Sequence, residues 1–209
     1  MSDSLADWDS YAKNTLSATI RGYYFFSVWR NYLLLLHGLK IPQGTLLEIG
    51  SSTGQNSLRL AKKYNLLPTL VDKSKLALAF AKQLFFHSGI KPKLIQQDIF
   101  NLSLEERFDF VHSHGLLEHF KGSQQKKAFK VHVKHLRPKG WIICWAPTPD
   151  FSYRLNRWYL KQTNQWIFGY EKPLSFQDFV SLFQSEELHI RKIRHFPGWL
   201  GIAAQLDAV

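Results

Sequence analysis

Short apolar runs alternate with longer helical stretches through the middle of the chain. The runs have the length and apolar character of buried parallel strands, and each ends at a small or polar residue. They lie at 45–49, 66–71, 93–97, 108–113 and 141–145. The stretches between them predict helices, which lie at 55–64, 74–87 and 123–137. Strands that alternate with helices indicate right-handed β-α-β units, and hence a largely parallel sheet covered on both faces.

The flanking regions complete a single-domain prediction. Residues 5–39 predict a helix that is apolar on nearly every face and either packs on the sheet or covers a hydrophobic ligand. An S-x-x-D start predicts a helix from Ser175 through Phe183, followed by an outer strand at 188–194 and a final short strand at 202–209. The predicted parts are an N-terminal helical cover at 1–40, a ligand-binding core at 44–147, an aromatic insert at 148–172 and a C-terminal helix with strands at 173–209.

Composition narrows the class of protein. With 209 residues and 45% hydrophobic content, the chain can bury a core, which excludes disorder as its main state. Lys and Arg outnumber Asp and Glu by 27 to 16, and this net charge of +11 favours polyanions, acidic small molecules or anionic surfaces. The single cysteine, Cys144, excludes an internal disulfide framework and a multi-Cys zinc site. No charge-free run reaches the length of a membrane span, and no signal-peptide pattern opens the chain, so we expect a cytoplasmic protein.

The most informative motif runs from Leu46 to Gly54, LLEIGSSTG, where a strand reaches an acid and then a turn of small residues. It is not the dinucleotide pattern G-x-G-x-x-G, because Ser52 and Gln55 stand at the second and third glycine positions, and it lacks the Gly-Lys-Ser/Thr of a P-loop. The acid, Glu48, would repel a pyrophosphate. The motif therefore predicts a site for a ligand that carries positive charge.

Two further acids end the next predicted strands. Asp72 follows Glu48 by 24 residues, the place where an acid typically accepts hydrogen bonds from ribose hydroxyls. Asp98 ends the third strand and can accept from an exocyclic amino group. A lone aspartate at such a place is often only a cap or turn residue. Three acids at successive strand ends indicate a nucleoside site instead.

These motifs resemble the class I S-adenosylmethionine-dependent methyltransferases, in particular the small-molecule, type 11-like branch. The resemblance covers residues 44–147, and the segments that carry it are 48–54, 71–72, 97–99, 108–119 and 136–141. It implies a three-layer, Rossmann-like α/β fold with a mostly parallel seven-stranded sheet and helices on both faces. It also implies S-adenosylmethionine as the cofactor. Ser52 departs from the glycine that many relatives carry there.

The resemblance also implies cofactor contacts for the first loop. Gly50, Ser51 and Gly54 would cradle the methionine part of the cofactor, and Glu48 would act at its ammonium group. Asp72 would hold the ribose hydroxyls.

The remaining implied contacts come from residues before and after that loop in the chain. Lys73 would lie beside the adenine, Asp98 would bind the adenine amino group, and the backbone N–H of Ile99 would bind a ring nitrogen. A backbone carbonyl near His114 would contact the amino acid end of the cofactor. Tyr11 resembles an N-terminal segment that closes over the cofactor.

His119 follows the fourth strand and is the candidate catalytic residue, since a general base with an ordinary imidazole pKa can deprotonate an acceptor. The alternative is that Glu118 and His119 cap and pack the following helix. His112 and His114 form an H-x-H pair that could bind metal, but the sequence indicates no third ligand, and we expect no metal.

The acceptor is predicted to be a small molecule, aromatic or acidic, because the insert at 148–172 combines seven aromatic residues with Arg154, Arg157 and Lys161. Those aromatic residues can equally be packing. The stretch at 121–139 carries seven basic residues and no acid, which is either a solvated helix face or a footprint for phosphates. RNA methylation is therefore one alternative function, and cofactor or partner binding without turnover is another.

Overall fold

The computed structural model describes residues 18–207, with side chains described from residue 26 onward, and is built on one seven-stranded sheet. The strands are β1 (Gly44–Ile49), β2 (Leu66–Asp72), β3 (Lys93–Gln96), β4 (Phe108–His114), β5 (Leu136–Pro147), β6 (Leu188–Phe196) and β7 (Trp199–Leu206). Their order across the sheet is β3-β2-β1-β4-β5-β7-β6. Strands β1 to β5 pair in parallel, whereas β7 runs antiparallel to both β5 and β6. The predicted α/β fold with a mostly parallel, seven-stranded sheet is confirmed.

Six α-helices of the described residues connect or cover the strands. They are α1 (Ala18–Leu36), α2 (Gln55–Tyr64), α3 (Lys75–Phe86), α4 (Ser123–Lys134), α5 (Phe151–Gln162) and α6 (Phe176–Gln184). Single turns of 3-10 helix follow β3 at Ile99–Asn101 and β4 at Leu117–His119. Among residues 18–207, no helix is both long and apolar enough to cross a membrane.

The two faces of the sheet carry separate apolar cores because successive strand side chains point to opposite sides. On one face, Leu46 packs with Tyr32 and Leu36 of α1. On the other, Leu47 belongs to a cluster with Phe129 of α4 and residues of α6. Glu48 follows in the alternation, so its carboxyl lies on the α1 side of the sheet. Helix α1 thus covers the sheet, which is one of the two roles that its apolar pattern predicts. It ends at Leu36, before the predicted residue 39, and the predicted helical residues before 18 lie outside the described residues.

Several element boundaries differ from the predictions. The helix expected to reach Arg137 ends at Lys134, because Leu136 pairs with Phe108 and opens β5. The next pairing is Phe110 with Trp141, so the residues between form an irregular start to the strand. The last strand begins at Trp199, earlier than the expected 202.

Helix α5 lies in the insert, where no helix is predicted. Phe151, Leu155, Trp158 and Tyr159 nevertheless recur at the helical spacing i, i+4, i+7 and i+8. All four side chains are exposed, so this apolar stripe does not pack on the sheet. The start of α5 is capped, because the Asp150 carboxylate accepts from the Tyr153 N–H (3.0 Å). The same carboxylate accepts from the Gly198 N–H (2.7 Å), which fixes α5 to the turn between β6 and β7.

Candidate active site

The loop between β1 and α2 turns through two left-handed glycines, Gly50 (φ +70°) and Gly54 (φ +67°). A Cβ atom on Gly54 would lie 2.5 Å from Leu70 Cδ1, so both the backbone and the packing require glycine there. The N–H groups of Gly50 and Ser51 bind the Val71 carbonyl at 2.9 and 3.0 Å. The loop therefore presents backbone and small side chains at the N-terminus of α2, which attracts negative charge. The Ser51 hydroxyl is buried there with no hydrogen-bond partner.

Glu48 lies at the tip of β1 with 3% of its surface exposed. Burial raises the pKa of this carboxyl to about 8, although hydrogen bonds from Ser57 act to lower it. Its Oε2 atom has no hydrogen-bond partner and lies 3.8 Å from His112 Nε2. A buried carboxyl oxygen without a donor costs free energy, which a cationic ligand at this position would recover.

Asp72 joins the tips of β1 and β2. Its Oδ2 accepts from the Ser52 N–H (2.7 Å), and its Oδ1 accepts from the Ser74 N–H (2.8 Å). Ser52 holds a left-handed conformation (φ +47°), so this serine adopts the loop geometry that glycine favours. The pKa of Asp72 is raised because burial outweighs these hydrogen bonds.

Asp98 and its neighbours lie at the adjoining tip of β3, where the Gln97 N–H donates to the Asp72 carbonyl (3.1 Å). The Asp98 side chain is exposed and caps the following turn by accepting from the Phe100 N–H (2.9 Å). Ile99 is buried in the core, and Lys73 is exposed. The structure thus brings the three predicted acids to neighbouring strand tips.

His114 ends β4 within an aromatic cluster on the α1 side. Its ring stacks on Trp199 (4.5 Å between centroids) and on Tyr32 (5.9 Å). His112 hydrogen-bonds through Nε2 to Ser57 Oγ (3.0 Å). Burial lowers the pKa of each histidine to about 3, so both rings are neutral. The two histidines of the H-x-H motif therefore pack among neighbouring side chains. Tyr11, which was predicted to contact the cofactor, lies outside the described residues.

His119 lies beyond the tip of β4 with a side chain that is 10% exposed. Its Nδ1 lies 3.0 Å from the Tyr170 carbonyl oxygen, and its ring stacks on Phe168 (6.5 Å). Burial lowers its pKa to about 4, and the positive charge of Lys73 contributes. The Leu116 side chain lies 2.8 Å from where a Gly50 Cβ would be, so the His119 turn adjoins the β1–α2 loop. His119 is therefore a neutral ring next to the loop of Glu48.

Two buried carboxyl groups face His119. Its Nε2 lies 3.9 Å from Glu118 Oε1 and 3.9 Å from Glu171 Oε2. Burial raises the pKa of both carboxyls, and their mutual repulsion raises that of Glu118 further. Glu171 Oε1 accepts from the Tyr153 hydroxyl (2.7 Å), and Arg157 donates to the Glu171 carbonyl oxygen (2.9 Å). The aromatic insert therefore supplies polar groups to the tip of β4, as well as packing.

Residues 46–140 match a family model described as a methyltransferase domain. The matched stretch begins within β1 and runs through β4 into β5, so it includes the glycine loop and the acids at the tips of β1 to β3. This part of the chain, a little under half of it, is a methyltransferase domain by that match. A search of curated protein sequences finds no match to this methyltransferase.

Solved structures share the fold of this methyltransferase. The N-methyltransferase NodS from Bradyrhizobium japonicum WM9, solved with S-adenosyl-L-homocysteine, is 18% identical with a TM-score of 0.63, over 87% of this chain and 86% of that one. Magnesium protoporphyrin IX methyltransferase (ChlM) from Synechocystis PCC 6803 is 14% identical with a TM-score of 0.70, over 93% and 90%. DhpI in its S-adenosyl-L-homocysteine complex is 17% identical with a TM-score of 0.73, over 96% and 93%.

Sequence reasoning missed Glu171 as a candidate site residue. It is the only acid between Asp150 and Asp178, in a segment otherwise rich in aromatic and basic residues. That isolation was the available signal, because an acid without a local role needs a partner from elsewhere in the fold. The sequence indicated only a capping role for Glu118, yet its side chain is 2% exposed and lies against Glu171 and His119.

Proposed function

We propose that this methyltransferase transfers the methyl group of S-adenosylmethionine to a small-molecule acceptor bound beside the tip of β4. The observation that carries the proposal is the enclosure of His119, which is 10% exposed beneath Phe168 and Tyr170. An acceptor must fit under the insert to reach this ring, and that favours a small molecule over a folded polymer. NodS and magnesium protoporphyrin IX methyltransferase, which share the fold, carry names that fit this class of reaction.

The residues at the tips of β1 to β3 fit the cofactor. The unpartnered Oε2 of Glu48 suits the ammonium group, and the loop up to Gly54 at the start of α2 suits the carboxylate. The two Asp72 oxygens accept the Ser52 and Ser74 N–H groups, and a carboxylate has further lone pairs that suit the ribose hydroxyls. Asp98, being exposed, can accept from the adenine amino group, and the Ile99 N–H suits a ring nitrogen. We assign Lys73 to the neighbourhood of the adenine and a carbonyl near His114 to the amino acid end.

The cofactor supplies an electrophilic methyl group on a sulfonium, so the transfer needs mainly positioning and exclusion of water. His119 can contribute a proton acceptor. A carbonyl oxygen only accepts, so the contact with Tyr170 assigns the proton to Nδ1 and leaves the lone pair on Nε2. The pKa of about 4 keeps the ring neutral near pH 7 but makes it a weak base. It can therefore take a proton only from an acceptor group that becomes strongly acidic as the methyl group is transferred.

Calorimetry with S-adenosylhomocysteine tests the cofactor assignment. We expect the double variant Glu48→Gln, Asp72→Ala to lose binding, and Glu187→Gln, which changes an exposed acid after α6, to keep it. Because the pKa of Glu48 is about 8, the carboxyl must release a proton to meet an ammonium. Affinity should therefore rise by up to about tenfold per pH unit below pH 8, and this dependence should weaken in the Glu48→Gln variant. Unchanged binding by the double variant would disprove the assignment.

RNA is an alternative methyl acceptor, and the exposed lysines of α4 are the observation that favours it. Lys126, Lys127 and Lys130 are exposed on one helix, and such a face binds phosphates with a steep dependence on salt. Incubation with labelled cofactor and separated small-molecule and RNA fractions of a lysate distinguishes the two. We expect label in the small-molecule fraction, and transfer equal to wild type after Lys126→Gln with Lys127→Gln. Label in RNA that both substitutions abolish would favour the alternative.

A further inference from the structure

Three potential metal ligands converge beyond the tip of β4. Glu118, His119 and Glu171 each offer one ligand atom, and these atoms lie within 4.8 Å of one another. The residues come from two segments, the turn after β4 and the end of the insert that follows α5. Their side chains are buried, with exposed fractions of 2%, 10% and 8%. The cluster is therefore built into the fold, unlike acids that gather on a surface.

The orientation of His119 suits a ligand. Its Nδ1–H donates to the Tyr170 carbonyl (3.0 Å), which directs Nε2 towards the two carboxyl groups. Histidines that bind metal nearly always donate the other ring N–H to a carbonyl or carboxylate in this way. Two carboxyl groups therefore lie 3.9 Å from one imidazole nitrogen, which is close enough for the three groups to share one cation.

Glu118 provides an independent observation that points to a ligand. Its side chain is only 2% exposed, and its Oε2 has no hydrogen-bond partner. A buried carboxylate in contact with a second carboxylate is costly unless a cation compensates both. Within residues 26–207 these three are the grouping of His, Cys, Asp and Glu side chains whose atoms lie close enough to share one ion.

We propose that Glu118, His119 and Glu171 bind a divalent metal ion such as Mn²⁺ or Zn²⁺. One imidazole and two carboxylates form a mixed N/O donor set, which such ions accept, and three protein ligands leave a coordination position open. The Tyr153 hydroxyl, which donates to Glu171 Oε1 (2.7 Å), orients one ligand from outside. This site rests on the proposed function for its role: an acceptor hydroxyl would bind the ion at the open position, and the ion would lower the pKa of that hydroxyl. The single Nε2 lone pair of His119 would then bind the metal and would no longer be the proton acceptor.

Metal titration of the cofactor-free protein tests this site. We expect saturable 1:1 binding of Mn²⁺, measured as loss of the free-ion signal in electron paramagnetic resonance, and of Zn²⁺ by calorimetry. Glu118→Gln and Glu171→Gln should each weaken the affinity by at least about tenfold while circular dichroism shows the fold retained. Tyr153→Phe should weaken it less. His189→Ala, which removes an exposed histidine paired with Asp207 (2.6 Å), is the matched control and should bind as wild type.

The outcomes separate this site from the proposed function. Absence of Mn²⁺ and Zn²⁺ binding, or binding that survives both glutamate substitutions together, would overturn the metal site. Binding of S-adenosylhomocysteine involves other residues and should be equal in wild type and Glu171→Gln. Loss of cofactor binding with metal binding intact would overturn the transferase assignment and leave the metal site standing.

Discussion

The tips of β1 to β3 and the tip of β4 both carry carboxyl groups, but the two regions are assembled differently. At β2 and β3 each acid accepts a backbone N–H two residues further along, from Ser74 to Asp72 and from Phe100 to Asp98. At β4 the partners are distant, since His119 binds the Tyr170 carbonyl and faces Glu171. The first region can be inferred from local motifs, whereas the second exists only after the insert has folded back over the sheet.

The largest expected effect tests how tightly the first region depends on its loop. Gly54→Ala should lower the free energy of unfolding by about 3–5 kcal/mol, because φ is +67° and the added Cβ would lie 2.5 Å from Leu70 and 3.1 Å from Phe85. Urea unfolding measures it. Gly89→Ala is the matched control: φ is +75° with nothing within 4 Å, so only the backbone strain of about 1–2 kcal/mol applies. Equal losses in both variants would show that packing on the loop is unimportant.

The second largest effect on the free energy of unfolding is expected for Glu48→Gln, and it should depend on pH. The folded pKa of about 8 lies above the ordinary 4.5, so the folded protein holds a proton that the unfolded chain releases between these values. Wild-type stability should therefore fall as pH rises through this window. Near pH 8.5 the variant should be more stable than wild type by about 2–4 kcal/mol, and near pH 5 the difference should be small. The same difference in unfolding free energy between variant and wild type at both pH values would contradict the burial of this carboxyl.

Asp72→Asn should cost about 1–2 kcal/mol, because an amide offers one oxygen where the carboxylate accepts from both Ser52 and Ser74. It should also weaken S-adenosylhomocysteine binding, which calorimetry follows. Asp98→Asn is the comparison within the same region, and since that side chain is exposed its effect on unfolding should stay below about 1 kcal/mol. A larger loss for Asp98 than for Asp72 would reverse the roles assigned to the two strand tips.

Tyr153→Phe should have the smallest effect on stability, about 1 kcal/mol, because it removes one hydrogen bond to Glu171 from a half-buried position. In this variant, the rate of methyl transfer and the Mn²⁺ affinity should both fall, while the S-adenosylhomocysteine affinity stays at the wild-type level. A drop in cofactor affinity would show that the tips of β1 to β3 and the tip of β4 do not act independently.

The local pattern predicted much of the first region. Strand ends followed by Glu48, Asp72 and Asp98 can be identified along the chain because β-α-β units bring successive carboxyl ends to one edge of the sheet. The helix at α5 was missed although its sequence carries a signal: Phe151, Leu155, Trp158 and Tyr159 follow the helical period, but they are exposed and do not pack on the sheet. The extension of β5 back to Leu136 was also missed, because Leu136 continues the helical period of α4 while pairing with Phe108.

The sequence by itself determined the sheet, the glycine loop and the row of acids, because each depends on residues close together in the chain and on the fixed handedness of parallel crossovers. Only the tertiary structure decided which side chains surround His119. His119 and Tyr170 stand 51 residues apart, and no periodic pattern in the sequence relates them. The contacts of His119 with Tyr170 and Glu171 arise because the insert packs against the tip of β4.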